Sequence, residues 1–173
     1  RGEQDTIDCL DLSNGFVGPQ DLVTVSKCIQ QFGAGRPGGG QSPLVEIDLS
    51  GNHICGVNSR GEGNYDSDGI SALGSALASS RVLKTLNLDQ NFLAIPGCTV
   101  IGELLTGQSS LRSLSLRKCK ISSDGALELS KGLKVNRSLT NLNIAGNALG
   151  APGISHIANA ISDNKRSELK LLE

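Results

Sequence analysis

Five stretches of the chain repeat one spacing of side chains, and that repetition constrains the fold more than any single motif does. The fullest copy places Leu111, Leu114 and Leu116 in an apolar-x-x-apolar-x-apolar run, then Cys119 and Ile121, with Gly125, Leu129 and Leu133 following at intervals of four. The same positions hold Leu83, Leu86, Leu88, Asn91 and Leu93, then Gly97, Ile101 and Leu105. They recur as Leu139, Leu142, Ile144, Asn147 and Leu149, then Gly153, Ile157 and Ile161. Starts at 83, 111 and 139 give a period of 28. Two earlier copies are longer. Leu44, Ile47, Leu49, Asn52 and Ile54 repeat the front half, but Gly69, Leu73 and Leu77 arrive 11 residues late. Ile7, Leu10, Leu12, Gly15 and Val17, then Asp21, Val25 and Ile29, form the first copy, and the next begins 37 residues later.

The two halves of the unit have different periodicities. Apolar residues two apart point to one face of a strand, whereas the spacing of four that follows is helical. Neither element can bury its apolar side alone, so successive coils must stack, strands on one wall and helices on the other. A helix is wider than the roughly 4.8 Å between neighbouring strands, so the strand wall becomes the inside of the curve. The expected fold is α/β: a right-handed solenoid with a parallel sheet on the concave wall and helices on the convex wall. As one domain over 1–173 it divides into repeats 7–43, 44–82, 83–110, 111–138 and 139–166, with a partial copy from 167.

Asn52, Asn91 and Asn147 stand where the chain leaves the strand, and a buried amide there can satisfy loop backbone groups. Cys119 can do so only weakly. Gly69, Gly97, Gly125 and Gly153 are expected to permit the turn into each helix. In the last copy Ser167 and Lys170 fall on leucine positions while Leu169, Leu171 and Leu172 do not, which predicts a slipped register or a shortened copy. The chain has no Met, and the expectation is a piece of a longer protein whose caps lie elsewhere.

The 28-residue unit with a full helix, and with Asn or Cys after the strand, resembles the ribonuclease-inhibitor-like class of leucine-rich repeats. That class includes ribonuclease inhibitors, innate immune sensors, activators of the small GTPase Ran and tropomodulin-like actin caps. The resemblance implies protein recognition by the concave wall and the loops at its rim, with no shared catalytic residue.

Lys and Arg total 16 against 17 Asp and Glu, so no basic stripe indicates nucleic acid and no basic amphipathic helix indicates a membrane surface. No apolar run reaches transmembrane length and no signal peptide is recognisable. Of the five cysteines, Cys28, Cys98 and Cys119 fall on or beside inward positions, which predicts reduced buried thiols and a cytoplasmic setting.

The strand residues between the leucines must face outward. Asp11, Glu46, Asp48 and Asp89 make the first three repeats acidic, Asn87 lies among them, and Arg112, Arg117 and Lys118 make the fourth basic. Adjacent strands should bring Asp89 beside Arg117, where the two can pair. The residue after the Asn position stands at the rim and reads Phe16, His53, Phe92, Lys120 and Ala148. Both Phe16 and Phe92 are expected to be open to solvent, as apolar anchors.

Two insertions depart from the template. The glycine-rich stretch at 30–43 lacks the G-K-[ST] of a phosphate loop and reads as a connector. The one at 57–69 carries Tyr65 and an Asn64, Asp66, Asp68, Gly69 opening like that of a calcium loop, but Ser75 stands where the bidentate Glu belongs. Neither His53 nor His156 has a partner at zinc spacing, and no cysteine has a base partner. Asn136-Arg137-Ser138 is a lone glycosylation sequon. The reading is a non-enzymatic, monomeric protein-interaction module, without cofactor or metal, that grips another protein through Asp11, Phe16, Glu46, Asp48, His53, Asn87, Asp89, Phe92 and Arg117. The alternatives are a regulator of a small GTPase, implied by the similarity to Ran activators, or a structural arm of a larger cytoskeletal or innate-immune protein.

Overall fold

A computed structural model describes residues 8–34, 44–58 and 60–173. Strands and helices alternate along it: β1 (Cys9–Asp11), α1 (Pro19–Ala34), β2 (Glu46–Asp48), α2 (Asp68–Ala78), β3 (Thr85–Asn87), α3 (Ala94–Gly107), β4 (Ser113–Ser115), α4 (Ser123–Leu133), β5 (Asn141–Asn143), α5 (Gly150–Asp163) and β6 (Leu171–Leu172). The strands form a single parallel sheet in chain order, with each helix crossing back to the start of the next strand. Registry places Leu10, Ile47, Leu86, Leu114 and Leu142 in one inward row. These residues meet Leu73, Leu77, Ile101, Leu105, Leu129 and Ile157 from the helices in one apolar core. The α/β solenoid expected from the spacing is the observed architecture.

Two ladders of buried amides run through the stack. At the strand exits, the Asn91 amide nitrogen donates to the carbonyls of Leu49 at 2.9 Å and Leu88 at 3.0 Å, and its oxygen accepts from the Ile54 N–H. Asn52 and Asn147 act alike, each tying its own coil to the one before. Cys119 keeps one of these links, its thiol donating to the Leu88 carbonyl at 3.1 Å. The second ladder, between helix end and strand start, is made by Gln108, Asn136 and Asn164. Gln108 donates to the Leu77 carbonyl, Asn136 to Leu105 and Gln108, and Asn164 to Leu133 and Asn136. The Asn136 sequon is therefore part of the frame: its amide nitrogen is buried and already makes two hydrogen bonds.

The glycine column has a different purpose from the turn expected of it. Gly69, Gly97, Gly125 and Gly153 have ordinary helical φ, whereas the left-handed glycines lie elsewhere. They are small because the preceding coil is close: a Cβ on Gly69 would lie 2.7 Å from the Pro19 carbonyl oxygen, and one on Gly153 3.1 Å from the Ser123 Cα. The same condition governs α3 against α4, where a Cβ on Gly132 would overlap the Gly102 carbonyl oxygen and sit 2.8 Å from the Leu105 Cβ.

The last strand resolves the register. Asn141 pairs with Leu171 and Leu142 with Leu172, so Leu169 and Leu172 occupy the places of Leu139 and Leu142 thirty residues on. A shift of two residues preserves which face each side chain takes. Of the insertions, residues 35–43 lie outside the described residues. In the second, Val57 and Gly63 form an antiparallel bridge, and Tyr65 reaches the following coil. Its hydroxyl donates to the Leu93 carbonyl at 2.6 Å and accepts from the Gly97 N–H at 3.0 Å, so it anchors the start of α3.

Candidate protein-binding site

The outward face of the sheet carries two rows. Cys9, Glu46, Thr85, Ser113 and Asn141 stand side by side, as do Asp11, Asp48, Asn87, Ser115 and Asn143. Asp11, Asp48, Asn87 and Asn143 each accept a hydrogen bond from the backbone N–H two residues on, capping the strand exit. The Asp11 carboxyl is held below the usual carboxylate range by the Ser13 backbone N–H and hydroxyl. Asp11 and Asp48 are direct cross-strand neighbours, an arrangement that like charges disfavour. Asn87 relieves Asp48 on its other side, donating to Oδ2 at 2.9 Å. The β1 and β2 end of the wall is thus a fixed concentration of negative charge with Cys9 exposed in its midst.

Asp89 and Arg117 do not form the expected pair. The Asp89 Oδ1 accepts from the Ser115 hydroxyl at 2.6 Å and from the Arg117 backbone N–H at 2.7 Å, fastening the β3 exit to the β4 exit. Strand registry brings the residues together, but a backbone donor takes the carboxylate and the guanidinium remains exposed. Arg112, read as part of the basic end, donates to the Ser138 carbonyl and pairs with Glu168 at 3.2 Å.

The rim residues are not equivalent. Phe16 is 82% exposed, and its ring centroid lies 6.4 Å from that of half-buried His53. Phe92 is only half-buried, as it lines a groove of about 340 Å³ with Gln90, Asn91, Lys118, Lys120 and Gly146. Backbone conformation accounts for part of the contrast. His53, Phe92 and Ala148 follow an asparagine and have ordinary φ, whereas Phe16 and Lys120 follow Gly15 and Cys119 and are left-handed, at φ 56° and 58°. Both left-handed residues follow a position that holds no ladder amide, and both are exposed. Such a conformation costs a non-glycine residue about 1–2 kcal/mol.

The cysteines divide differently from expectation, since Cys28 is exposed on α1 while Cys55, Cys98 and Cys119 are buried. Burial pushes the Cys55 thiol up to about 11 and those of Cys98 and Cys119 up to about 12. They are held as neutral packing groups, too poor in thiolate to act as nucleophiles. At the second insertion, Asp66 accepts from the Asp68 N–H, and no group of three or more metal-ligating side chains occurs among the described residues. No described helix is long and apolar enough to cross a membrane.

Sequence reading passed over the second amide ladder and the lysine groove. The ladder was legible, since Gln108, Asn136 and Asn164 recur every 28 residues. The groove was not, because it depends on a backbone turn at Cys119.

A stack of parallel strands and helices with an asparagine ladder is a leucine-rich repeat solenoid, and residues 107–130 and 135–158 match the Leucine Rich repeat family. Among similar proteins, human NACHT, LRR and PYD domains-containing protein 13 is 30% identical over 137 residues, covering 79% of this chain and 12% of its own length. Bovine NACHT, LRR and PYD domains-containing protein 5 is 32% identical over 157 residues, covering 88% of this chain and 14% of its own. The chain thus spans about an eighth of the length of these relatives. A solved structure, leiomodin-1 actin-binding site 2, superposes with a TM-score of 0.56 at 21% identity, covering 69% of each chain, and is a likeness of fold.

Proposed function

We propose that this chain is a non-enzymatic protein-interaction module that binds a protein partner through the acidic end of its sheet wall and the adjacent rim, with Phe16 as the apolar anchor. The observation that carries the reading is that Phe16 combines 82% exposure with a left-handed backbone. Water and φ both disfavour a phenyl ring there, and strain retained at an exposed position points to use. Glu46, Asp11 and Asp48 supply a negative field beside it, which sets association rate and orientation toward a positively charged segment more than affinity. Asp89 supports the wall from within. Five free thiols suit a reducing compartment such as the cytoplasm.

The test separates stability from binding. Phe16→Gly should raise stability by roughly 1 kcal/mol in urea denaturation, because glycine adopts positive φ without strain. In affinity capture from cell extract, with actin included because the structural neighbour is an actin-binding site, the same variant should lose about 30-fold or more in affinity for the captured partner. Equal capture by wild type and Phe16→Gly would remove Phe16 from the interface.

A further inference from the structure

A rim groove at the β3 to β5 exits lies apart from the acidic wall. Its floor is the half-buried Phe92 ring and its sides are Lys118, Lys120, Gln90 and Gly146, around about 340 Å³. Lys118 and Lys120 line it and Arg117 adjoins them in sequence, all three exposed. Among the described residues none of them pairs with a carboxylate: the ion pairs are Arg112 with Glu168, Lys131 with Glu128 and Lys134 with Asp163. The nearby Asp89 forms no ion pair with them: its Oδ1 accepts from the Ser115 hydroxyl and the Arg117 N–H.

The backbone sets the lysines in place. Lys118 and Lys120 are both left-handed, at φ 52° and 58°, so two positions flanking Cys119 hold long cationic side chains where glycine or asparagine would be less strained. Gly146 opposite keeps the approach open, since a Cβ there would lie 2.9 Å from the Lys118 Cγ. The methylene stem of Lys118 therefore crosses the next coil with little room to spare.

We propose that this groove binds an acidic peptide segment of a protein partner, its carboxylates meeting Lys118 and Lys120 and an apolar neighbour packing on Phe92. Unpaired positive charge around an aromatic floor is complementary to alternating acidic and apolar side chains. The site stands independently of Phe16, at the opposite end of the charge gradient.

The experiment is a titration of the ¹⁵N-labelled chain with a blocked hexapeptide of alternating Glu and Leu, followed by amide chemical shifts. Saturable shifts are expected at Gln90, Phe92, Lys118, Lys120 and Gly146, weakening with added salt. The Lys118→Gln, Lys120→Gln double variant should bind about tenfold more weakly. The Lys118→Arg, Lys120→Arg variant should retain binding, and the unchanged remainder of each spectrum reports that it is folded. Phe16→Gly should bind the peptide like wild type, so failure of the anchor reading and failure of this one are distinguishable. Absence of saturation, equal shifts from a peptide with Gln in place of Glu, or shifts centred away from the groove would overturn the proposal.

Discussion

Gly132→Ala is expected to destabilise the chain by about 3 kcal/mol, near the upper end for overpacking by a single methyl. The added Cβ would meet the Gly102 carbonyl oxygen and the Leu105 Cβ, and both are backbone or backbone-proximal, with no rotamer to yield. Relief requires α3 and α4 to separate, which opens the core between Ile101, Leu105, Leu129 and Leu133. Gly107→Ala provides the comparison. It lies at the last residue of α3 with nothing within 4 Å of its added Cβ, so alanine should leave stability unchanged or raise it by up to about 0.5 kcal/mol. Urea midpoints for the two variants, with unchanged slope, check the difference; equal effects would mean that helix propensity governs and that the close approach does not.

Asn91→Ala should lose about 3 kcal/mol or more, although it removes no apolar area of consequence. The side chain is 1% exposed, and its loss orphans the Ile54 N–H and takes one donor each from the Leu49 and Leu88 carbonyls, which keep only the Asn52 amide and the Cys119 thiol. The orphaned N–H costs about 1–3 kcal/mol, and each lost hydrogen bond to a carbonyl that keeps another donor about 0.5–1.5 kcal/mol. Asn91→Cys should lose roughly half as much, since a thiol can still donate to the preceding coil as Cys119 does to Leu88. Equal losses for the two would show that the thiol bond contributes nothing. A native Cys119 that tolerates conversion to alanine would support the same conclusion.

The fold was legible because it is written in periodicity: residues two apart and residues four apart fix which element each segment becomes and which side is buried. Leu86, Leu114 and Leu142 needed no further information. The glycine column was visible but misread, since a small residue at a helix start has two physical explanations, a turn or a close neighbour, and only coordinates distinguish Gly69 against Pro19 from a left-handed turn. The exposed rings and charges were harder. Sequence places Phe16 and Phe92 in one column, yet one ring is open and the other half-covered. Likewise Asp89 lies beside Arg117 as expected, but the donor it finds is a peptide N–H. Pairing between exposed side chains depends on small energies that backbone donors can outbid, so column position alone could not resolve it.

The exchange of asparagine for glycine or cysteine at the strand exits links the interior of the solenoid to its edge. An amide inside the stack draws the loop toward the previous coil; without it, the next residue adopts a mirror-image backbone and swings its side chain clear, as Phe16 and Lys120 do. One concealed residue thereby sets the aim of its visible neighbour. A repeat protein of this kind can alter what its rim presents, coil by coil, without substituting any residue that a partner touches.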